Sequence, residues 1–246
     1  MRAVILGLLF AAALFGKSIE AEYKVTYGFF GKIGVADAKL EQNATDYNIS
    51  IVAKATGFAK VLSGSRVERY ISEGKVEDGK LLPLRFVKSR SKRNKRTDKF
   101  FEFDHKAKKI YVYKKYYKNG KFLSKTKPST LPYYAKNDLL TLYFNIKDEL
   151  RKKSGALHFK AAGGDRKTGA VDIVIPDPKK REKLKKLLKT EGFYIIAVIH
   201  QKIFASKNGE LFIALDNDGI AKKAMLKDVI MFGDVVGTLV KKRVSE

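Results

Sequence analysis

Apolar and polar residues alternate along much of the chain after its first twenty residues. The alternation is clear over residues 23–27, 36–40 and 47–52. A period of two places alternate side chains on one face of a β-strand, so each segment predicts a strand with one buried face. Four dipeptides lie between such segments: Asp78-Gly79, Asn119-Gly120, Asn208-Gly209 and Asp218-Gly219. Because these dipeptides adopt the positive φ angles of tight hairpin turns, they predict a meander of antiparallel strands.

Three segments have helical rather than strand-like patterns. Residues 137–147 place Asn137 as a candidate N-cap before leucines and aromatic residues at helical spacing. Residues 178–189 follow Asp177 as a cap and begin with Pro178, and residues 58–62 predict a single short turn. We therefore expect a mainly β fold with a single antiparallel, strongly curved sheet or a partly open β-barrel, and two or three short helices.

The first 21 residues have the layout of a secretory signal peptide. Met1-Arg2 is cationic, residues 3–15 are uniformly apolar, and Gly16-Lys17-Ser18 interrupts them. The apolar run is shorter than the roughly 20 residues that span a bilayer as a helix. We predict cleavage between Ala21 and Glu22, which leaves a soluble periplasmic domain over residues 22–246 with no transmembrane anchor.

The composition excludes several kinds of chemistry. The chain has no cysteine, which rules out disulfides, thiol catalysis and cysteine-ligated metals. None of its three histidines, His105, His158 and His200, has a second histidine at a spacing that would place two metal ligands on one helix face. The glycine-rich residues 163–169 lack the ending of a phosphate-binding P-loop, and residues 216–219 lack the glutamate of a calcium loop. We predict no catalytic, metal-binding or cofactor-binding residue and no cofactor, and we expect the protein not to be an enzyme.

Positive charge is abundant and clustered. The formal net charge is +25, from 51 Lys and Arg against 26 Asp and Glu. Residues 85–127 hold 17 Lys and Arg against three acids, and residues 179–189 hold seven against one. Charge of this density attracts polyanions and anionic membranes whatever the fold. The candidate anion-docking residues are Arg90, Lys92, Arg93, Lys95, Arg96, Lys114, Lys115 and Lys118.

The order of these features resembles the bacterial exported family called domain of unknown function 3108. The matching features are the opening strand 23–28, the small-residue strand 33–36, the strand 47–55 with the Gly-Phe turn after it, the segment 79–86, the helix 138–144 and the closing strands 211–216 and 227–239. The chain departs from the family where Asn145 follows the helix in place of an arginine. The resemblance implies a periplasmic, non-catalytic protein with a curved sheet or partly open barrel, and it supplies no catalytic residues to transfer.

These observations favour a protein that binds lipid or anionic envelope material through the curved sheet and its basic face. The possible partners are anionic lipid, lipopolysaccharide or an acidic envelope polymer. Two alternatives remain open: an assembly partner in a periplasmic protein complex, and a polyanion or nucleic-acid surface. Nucleic acid is the less expected partner because exported proteins rarely meet it. The candidate groove residues are Phe29, Phe30, Phe58, Leu62, Leu139, Tyr143 and Phe144, although an ordinary β core also needs such residues.

Overall fold

The computed structural model describes residues 16–152, 155–199, 209–229 and 233–245, and strands dominate these ranges. The strands are β1 Lys17–Tyr27, β2 Lys32–Gln42, β3 Asp46–Ala55, β4 Val67–Glu77, β5 Lys80–Lys92, β6 Lys95–Asp104, β7 Lys109–Lys118, β8 Lys121–Lys125, β9 Ser129–Thr130, β10 Asn137–Asp138, β11 Gly155–Ala162, β12 Ala170–Ile175, β13 Phe193–Ile199, β14 Glu210–Leu215, β15 Ala221–Val229 and β16 Gly233–Ser245. The helices are α1 Gly57–Leu62, α2 Leu139–Asn145, α3 Lys147–Lys152 and α4 Pro178–Leu188, with a 3-10 turn at Gly28–Phe30.

All of these strands belong to one sheet. Its order is β10-β11-β12-β13-β14-β15-β16-β1-β2-β3-β4-β5-β6-β7-β8, with β9 pairing with β7. Among the described strands, β10 and β11 alone pair in parallel, and every other pair is antiparallel. The sheet does not close, which confirms the predicted mainly β, open barrel-like architecture.

The face of the sheet that contacts α2 is called the inner face. Helix α2 packs by Leu142 against the inner residues of β12–β14, and by Leu140 and Phe144 against those of β1–β3. The Tyr143 hydroxyl donates to the Gly219 carbonyl at 2.7 Å, and the Asn145 side chain hydrogen-bonds both the N–H and the C=O of Leu81. The two halves of the sheet therefore curve around one short helix.

The N-cap of α2 is Asp138, so the prediction of Asn137 is wrong by one residue. The Asp138 carboxylate accepts from the N–H groups of Leu140 and Thr141, while the Thr141 hydroxyl accepts from the Asp138 N–H. This reciprocal arrangement gives hydrogen-bond partners to N–H groups at the start of the helix that have none within the helix. Asn137 instead accepts from the side chain of Asn145.

The lysine-rich helix α4 lies on the outer face of the sheet. Asp177 caps it and Pro178 begins it, as predicted. Leu184 and Leu188 are buried against Tyr194, Ile196 and other outer residues of β13–β15. The apolar stripe of α4 is thus buried against the sheet, and the lysines of α4 lie on the solvent side.

Three of the four predicted turns lie between consecutive antiparallel strands. Asp78-Gly79 and Asn119-Gly120 have positive φ at both residues and connect β4 to β5 and β7 to β8. Asp218-Gly219 lies in the longer connection between β14 and β15, and Asn208 lies outside the described residues. The turn between β5 and β6 was not predicted: it is Arg93-Asn94, with Arg93 at φ 53°.

Strand β1 runs through the predicted domain boundary. It begins at Lys17 and pairs with both β2 and β16 from its first residues. Ile19 and Ala21 are buried in the inner core. The folded domain therefore includes residues 17–21, and cleavage itself stays a prediction because residues 1–15 lie outside the described part of the chain.

Candidate functional site

An apolar groove lies on the inner face, on the other side of the core from α2. Its volume is about 450 Å³, within the ~300–1,000 Å³ range of small-molecule sites. Strands β1–β4 form one wall and β14–β16 form the other. The main apolar lining residues are Val25, Ala53, Ala55, Leu211, Leu226 and Val235.

Helix α1 covers part of the groove with its small side chains. Ala59 and Ser63 face the groove. Phe58, Val61 and Leu62 project outward and are 67–75% exposed. A helix of this length would normally bury its large apolar side chains. The outward orientation leaves an apolar patch at the mouth of the groove.

A second exposed apolar feature lies beside α1. The turn between β1 and β2 carries Phe29 and Phe30, whose rings stack at 4.2 Å, and Phe29 is 79% exposed. Because β1 ends and β2 begins where β3 ends, this turn and α1 lie at the same end of the sheet. The Thr56 N–H donates to the Ile33 carbonyl at 2.9 Å and ties the two together.

The tips of the basic hairpins are at this end too. The Arg93 N–H donates to the Gly64 carbonyl, just after α1, and the Asn94 side chain donates to Asn119 at 2.9 Å. The 28–30 turn, α1 and the turns at 93–94 and 119–120 together form what we call the open end. Its exposed cations include Lys32, Lys60, Lys92, Arg93, Lys95 and Lys118.

The polar wall of the groove is built around Glu68, which is only 7% exposed. Its carboxylate accepts from Arg66, from Arg90 Nε at 3.0 Å and from the Tyr70 hydroxyl at 2.7 Å. Burial alone would raise the pKa of Glu68, but these hydrogen bonds and the two guanidinium charges outweigh it and lower the pKa. Glu68 is thus held as a carboxylate, and the two arginines leave this wall with a net positive charge.

Strand alternation separates the charges of residues 85–127 by face. Phe86, Phe101 and Val112 belong to the inner core, which fixes the facing of β5, β6 and β7. The three acids of the block, Asp98, Glu102 and Asp104, occupy the alternate, outer positions of β6. The charged residues at inner positions of these strands are all cations: Lys88, Arg90, Lys92, Lys95, Lys99, Lys114 and Lys118.

Three of these inner lysines face one another directly. Lys88 pairs with Lys99 across β5 and β6, and Lys99 pairs with Lys114 across β6 and β7. We call these three residues the lysine row. Burial and then the charge of Lys99 lower the pKa of Lys88 to about 8. Burial, followed by the charges of Lys114 and Arg166, lowers the pKa of Lys99.

The predicted anion-docking residues all lie on β5–β7 and their connecting turn, but they do not share one face. Arg90, Lys92, Lys95, Lys114 and Lys118 are on the inner face, and Arg93 is in the turn. The two outer residues have aromatic partners: Arg96 lies 3.9 Å from the Tyr117 ring centre and also contacts Asp98, and Lys115 lies 4.9 Å from Phe100. A surface formed by all eight is therefore excluded, because strand alternation divides them.

The predicted groove residues are also divided. Leu139 and Tyr143 line a separate, smaller cavity of about 170 Å³ between α2, α3 and β12–β14. Phe144 packs in the inner core with β1–β3. The prediction that Phe29, Phe30, Phe58 and Leu62 line the groove is corrected, because these side chains project into solvent at the open end.

The remaining polar candidates have structural partners. His105 contacts the Tyr134 hydroxyl at 2.7 Å and the Pro83 carbonyl at 2.6 Å, and His158 contacts Asp172. His200 lies outside the described residues. In the turn at residues 216–219, the Lys242 ammonium contacts both Asp216 and Asp218, where a cation would otherwise bind. Among the described residues no three His, Asp or Glu are placed to hold a metal ion.

Sequence reasoning missed Arg66, Glu68, Lys88 and Lys99 as site residues. The signal for the lysine row was present, because Lys88 and Lys99 are equidistant from the centre of the Arg93-Asn94 turn. Using it required knowing that this dipeptide is the turn.

In the ranges that the structure describes, no helix combines the length and apolar character needed to cross a membrane.

Comparisons with known proteins give one family match and a solved structure to which this chain is similar. The sequence model of a family described as "Protein of unknown function (DUF3108)" matches residues 22–145. No curated protein matches the chain. Among solved structures, the crystal structure of a beta-barrel-like protein of domain of unknown function DUF1849 from Brucella abortus is 14% identical, with a TM-score of 0.49, over 95% of this chain and 99% of that one.

Proposed function

The chain belongs to the family described as "Protein of unknown function (DUF3108)", and from that premise we propose that it binds an anionic amphiphile, such as an anionic lipid, on the inner face of its sheet. The apolar part of the ligand lies in the groove, and the charged part lies against the inner cations. We further propose that the protein acts in the periplasm after export and performs no chemistry on the ligand.

The observation that carries this proposal is the continuity of the groove with its charged wall. Val25, Ala53 and Leu226 offer an apolar surface, while Arg66 and Glu68 line the same groove. Arg90 joins them through Glu68. Apolar contact supplies most of the affinity in sites of this kind, and a few placed polar groups orient the ligand. An amphiphile with a negative head group matches both parts.

The open end supports a route for the ligand. Phe29, Phe58 and Leu62 are exposed at the mouth of the groove, and lysines surround them. Exposed apolar side chains among cations suit contact with an anionic lipid surface. We propose that this end contacts such a surface when a ligand enters or leaves the groove.

A groove-filling substitution tests the proposal. Ala53→Phe places a ring in the groove, and Ser50→Phe places the same ring on the outer face of the same strand as a matched control. We expect cis-parinaric acid, a fluorescent anionic amphiphile, to bind the parent and Ser50→Phe, and to bind Ala53→Phe about tenfold or more weakly because the apolar contact is lost. Unchanged binding to a folded Ala53→Phe, checked by thermal melting, would contradict the groove assignment.

A second candidate function, as an assembly partner, is favoured by strand β8. This strand ends the sheet, and Phe122 and Leu123 on it are more than half exposed. An exposed edge offers backbone groups to a strand of another protein. Phe122→Pro would remove a backbone N–H from the edge, so loss of a co-purifying protein with unchanged cis-parinaric acid binding would favour this alternative.

A further inference from the structure

The lysine row is unusual because like charges face each other directly. Directly opposed residues in an antiparallel pair have Cβ atoms about 4.5–5.5 Å apart, and like charges there destabilise the sheet. The row contains two such contacts in succession, Lys88 with Lys99 and Lys99 with Lys114. Placing three lysines in this register therefore costs folding free energy.

Carboxylates offset this cost only in part in the described part of the chain, because the charges of Asp138 and Glu68 act on Lys88 less strongly than burial and the charge of Lys99 do. The ion pairs found there do not include a member of the row. The two nearby acids have other partners: Glu68 holds Arg66, Arg90 and Tyr70, and Asp138 accepts from Ser72 and the start of α2. The three acids of the 85–127 block lie on the opposite face.

The surroundings orient the ammonium groups without neutralising them. Lys88 Nζ lies 5.6 Å from the centre of the Phe86 ring, and Lys99 Nζ lies 4.6 Å from that of Phe101. Lys88 Nζ also donates to the Gly163 carbonyl at 3.2 Å. That carbonyl begins the loop between β11 and β12, which brings Arg166 close enough for its charge to act on Lys99. The result is a cluster of cations on the inner face beside the rings of Phe86 and Phe101.

We propose that the lysine row, together with Arg166, binds a phosphate group. This inference rests on the proposed function in one respect: the phosphate is the head group of the amphiphile whose apolar part lies in the groove. A phosphate monoester or diphosphate carries more than one negative charge and several acceptor oxygens, so a single group offsets several lysines. A carboxylate head would offset only one. The lysine ammonium acts on a phosphate as a compact point charge on a flexible stem, so several lysines in a row can contact one phosphate group.

Inorganic pyrophosphate is the first probe, because its binding does not depend on the groove. We expect calorimetric titration of the chain from Lys17 onward to give binding that weakens about tenfold or more in Lys99→Gln/Lys114→Gln, since charge-assisted hydrogen bonds are lost. Lys115→Gln/Lys125→Gln is the matched control: it removes the same charge from the outer positions of β7 and β8. Equal weakening in both double variants would mean diffuse attraction to a cationic protein and would overturn the site.

Thermal melting without ligand gives a readout that does not depend on binding. Lys99→Gln removes the central charge of the row, so we expect its melting temperature to equal or exceed that of the parent. A clear decrease would mean that the lysines stabilise the fold, and it would overturn the assignment. Lys99→Arg keeps the charge and should retain pyrophosphate binding.

Two lipids with the same acyl chain separate this inference from the proposed function. Lysophosphatidic acid carries a phosphate, and monoacylglycerol does not. We expect the parent to bind the phosphate form about tenfold more tightly and Lys99→Gln/Lys114→Gln to bind both equally. Equal binding of both lipids by the parent overturns the phosphate site and leaves the groove in place. Binding of pyrophosphate but of neither lipid overturns the proposed function, and the row then serves a free phosphate compound.

Discussion

Asp138 is a buried carboxylate whose ionisation should control the pH dependence of stability. It is fully buried, caps α2 and accepts a 2.5 Å hydrogen bond from Ser72, which in turn contacts the Tyr47 hydroxyl at 2.9 Å. Burial raises its pKa from 3.8 to about 6, although the hydrogen bonds from Ser72, Thr141 and Leu140 act in the opposite direction. The carboxylate is therefore structurally useful and electrostatically costly at neutral pH.

The magnitude follows from the difference between the folded and unfolded pKa. Below about pH 4 both states are protonated and the residue contributes no pH dependence. Between about pH 4 and 6 the unfolded state loses the proton first, so the free energy of unfolding falls as the pH rises. Above about pH 6 both states are ionised and the whole cost is present. At 1.36 kcal/mol per pH unit, a pKa of about 6 against 3.8 gives about 3 kcal/mol.

Asp138→Asn separates the charge from the cap. The amide oxygen can still accept from Leu140 and Thr141, and its NH₂ can donate to Ser72. We expect Asn to match or exceed the parent in stability at pH 8 and to lose the advantage towards pH 4. Asp138→Ala removes the cap, which typically costs about 0.5–2 kcal/mol.

The assay is urea unfolding from pH 4 to 8, with the difference between the parent and Asp138→Asn taken at each pH. Subtraction removes the general effect of the net charge of +25, which both proteins share to within one unit. A difference that does not change between pH 4 and 8 would refute the raised pKa. A parent that is several kcal/mol more stable than Asp138→Asn at pH 8 would mean that the ionised carboxylate is favourable in this site.

Two further predictions concern the sheet. A chain that begins at Glu22 lacks the first five residues of β1, including buried Ile19 and Ala21. Urea unfolding should show that it is about 2–5 kcal/mol less stable than a chain that begins at Lys17, because the loss of a core isoleucine side chain alone costs that much. Equal stability would place residues 17–21 outside the fold. Gly169→Ala should lower the melting temperature by several degrees, because φ is 73° there and a Cβ would meet the Tyr133 ring at 2.4 Å. Gly120→Ala is the control: its φ of 77° gives the same backbone strain, but no atom lies within 4 Å of the added Cβ, so the difference between the two variants measures the contact with Tyr133.

Much of the fold could be predicted from local patterns. The alternation over residues 47–52 and the turn at Asn119-Gly120 reflect constraints that act within a few residues, and both became the expected structure. The sequence predicts the cap of α2 one residue early because Asn137 and Asp138 are both good caps. The buried hydrogen bond from Ser72, which is distant in sequence, holds the second of them in place.

The site was harder to predict because it depends on register. A shift of one residue moves every side chain of a strand to the other face. The register of β5 against β6 is set by the turn Arg93-Asn94, in which an arginine adopts a positive φ. Arginine rarely adopts a positive φ, so the sequence does not distinguish this turn from the rest of the lysine- and arginine-rich segment. Without that register, Lys88 and Lys99 could not be placed opposite one another.

The same register decides which cations lie on one face of the sheet, and this cannot be read from the net charge. The 85–127 block places seven of its 17 cations at inner positions of β5–β7, while the 179–189 block lies on α4, which packs on the outer face over β13–β15. One ligand cannot contact these seven cations and α4 together, because the sheet lies between them. Lys185 of α4 already pairs with Glu191. Salt-dependent binding should therefore depend on the first block alone, and neutralising Lys180 and Lys183 of α4 should leave pyrophosphate binding to the lysine row within about twofold, as expected for distant, screened charges.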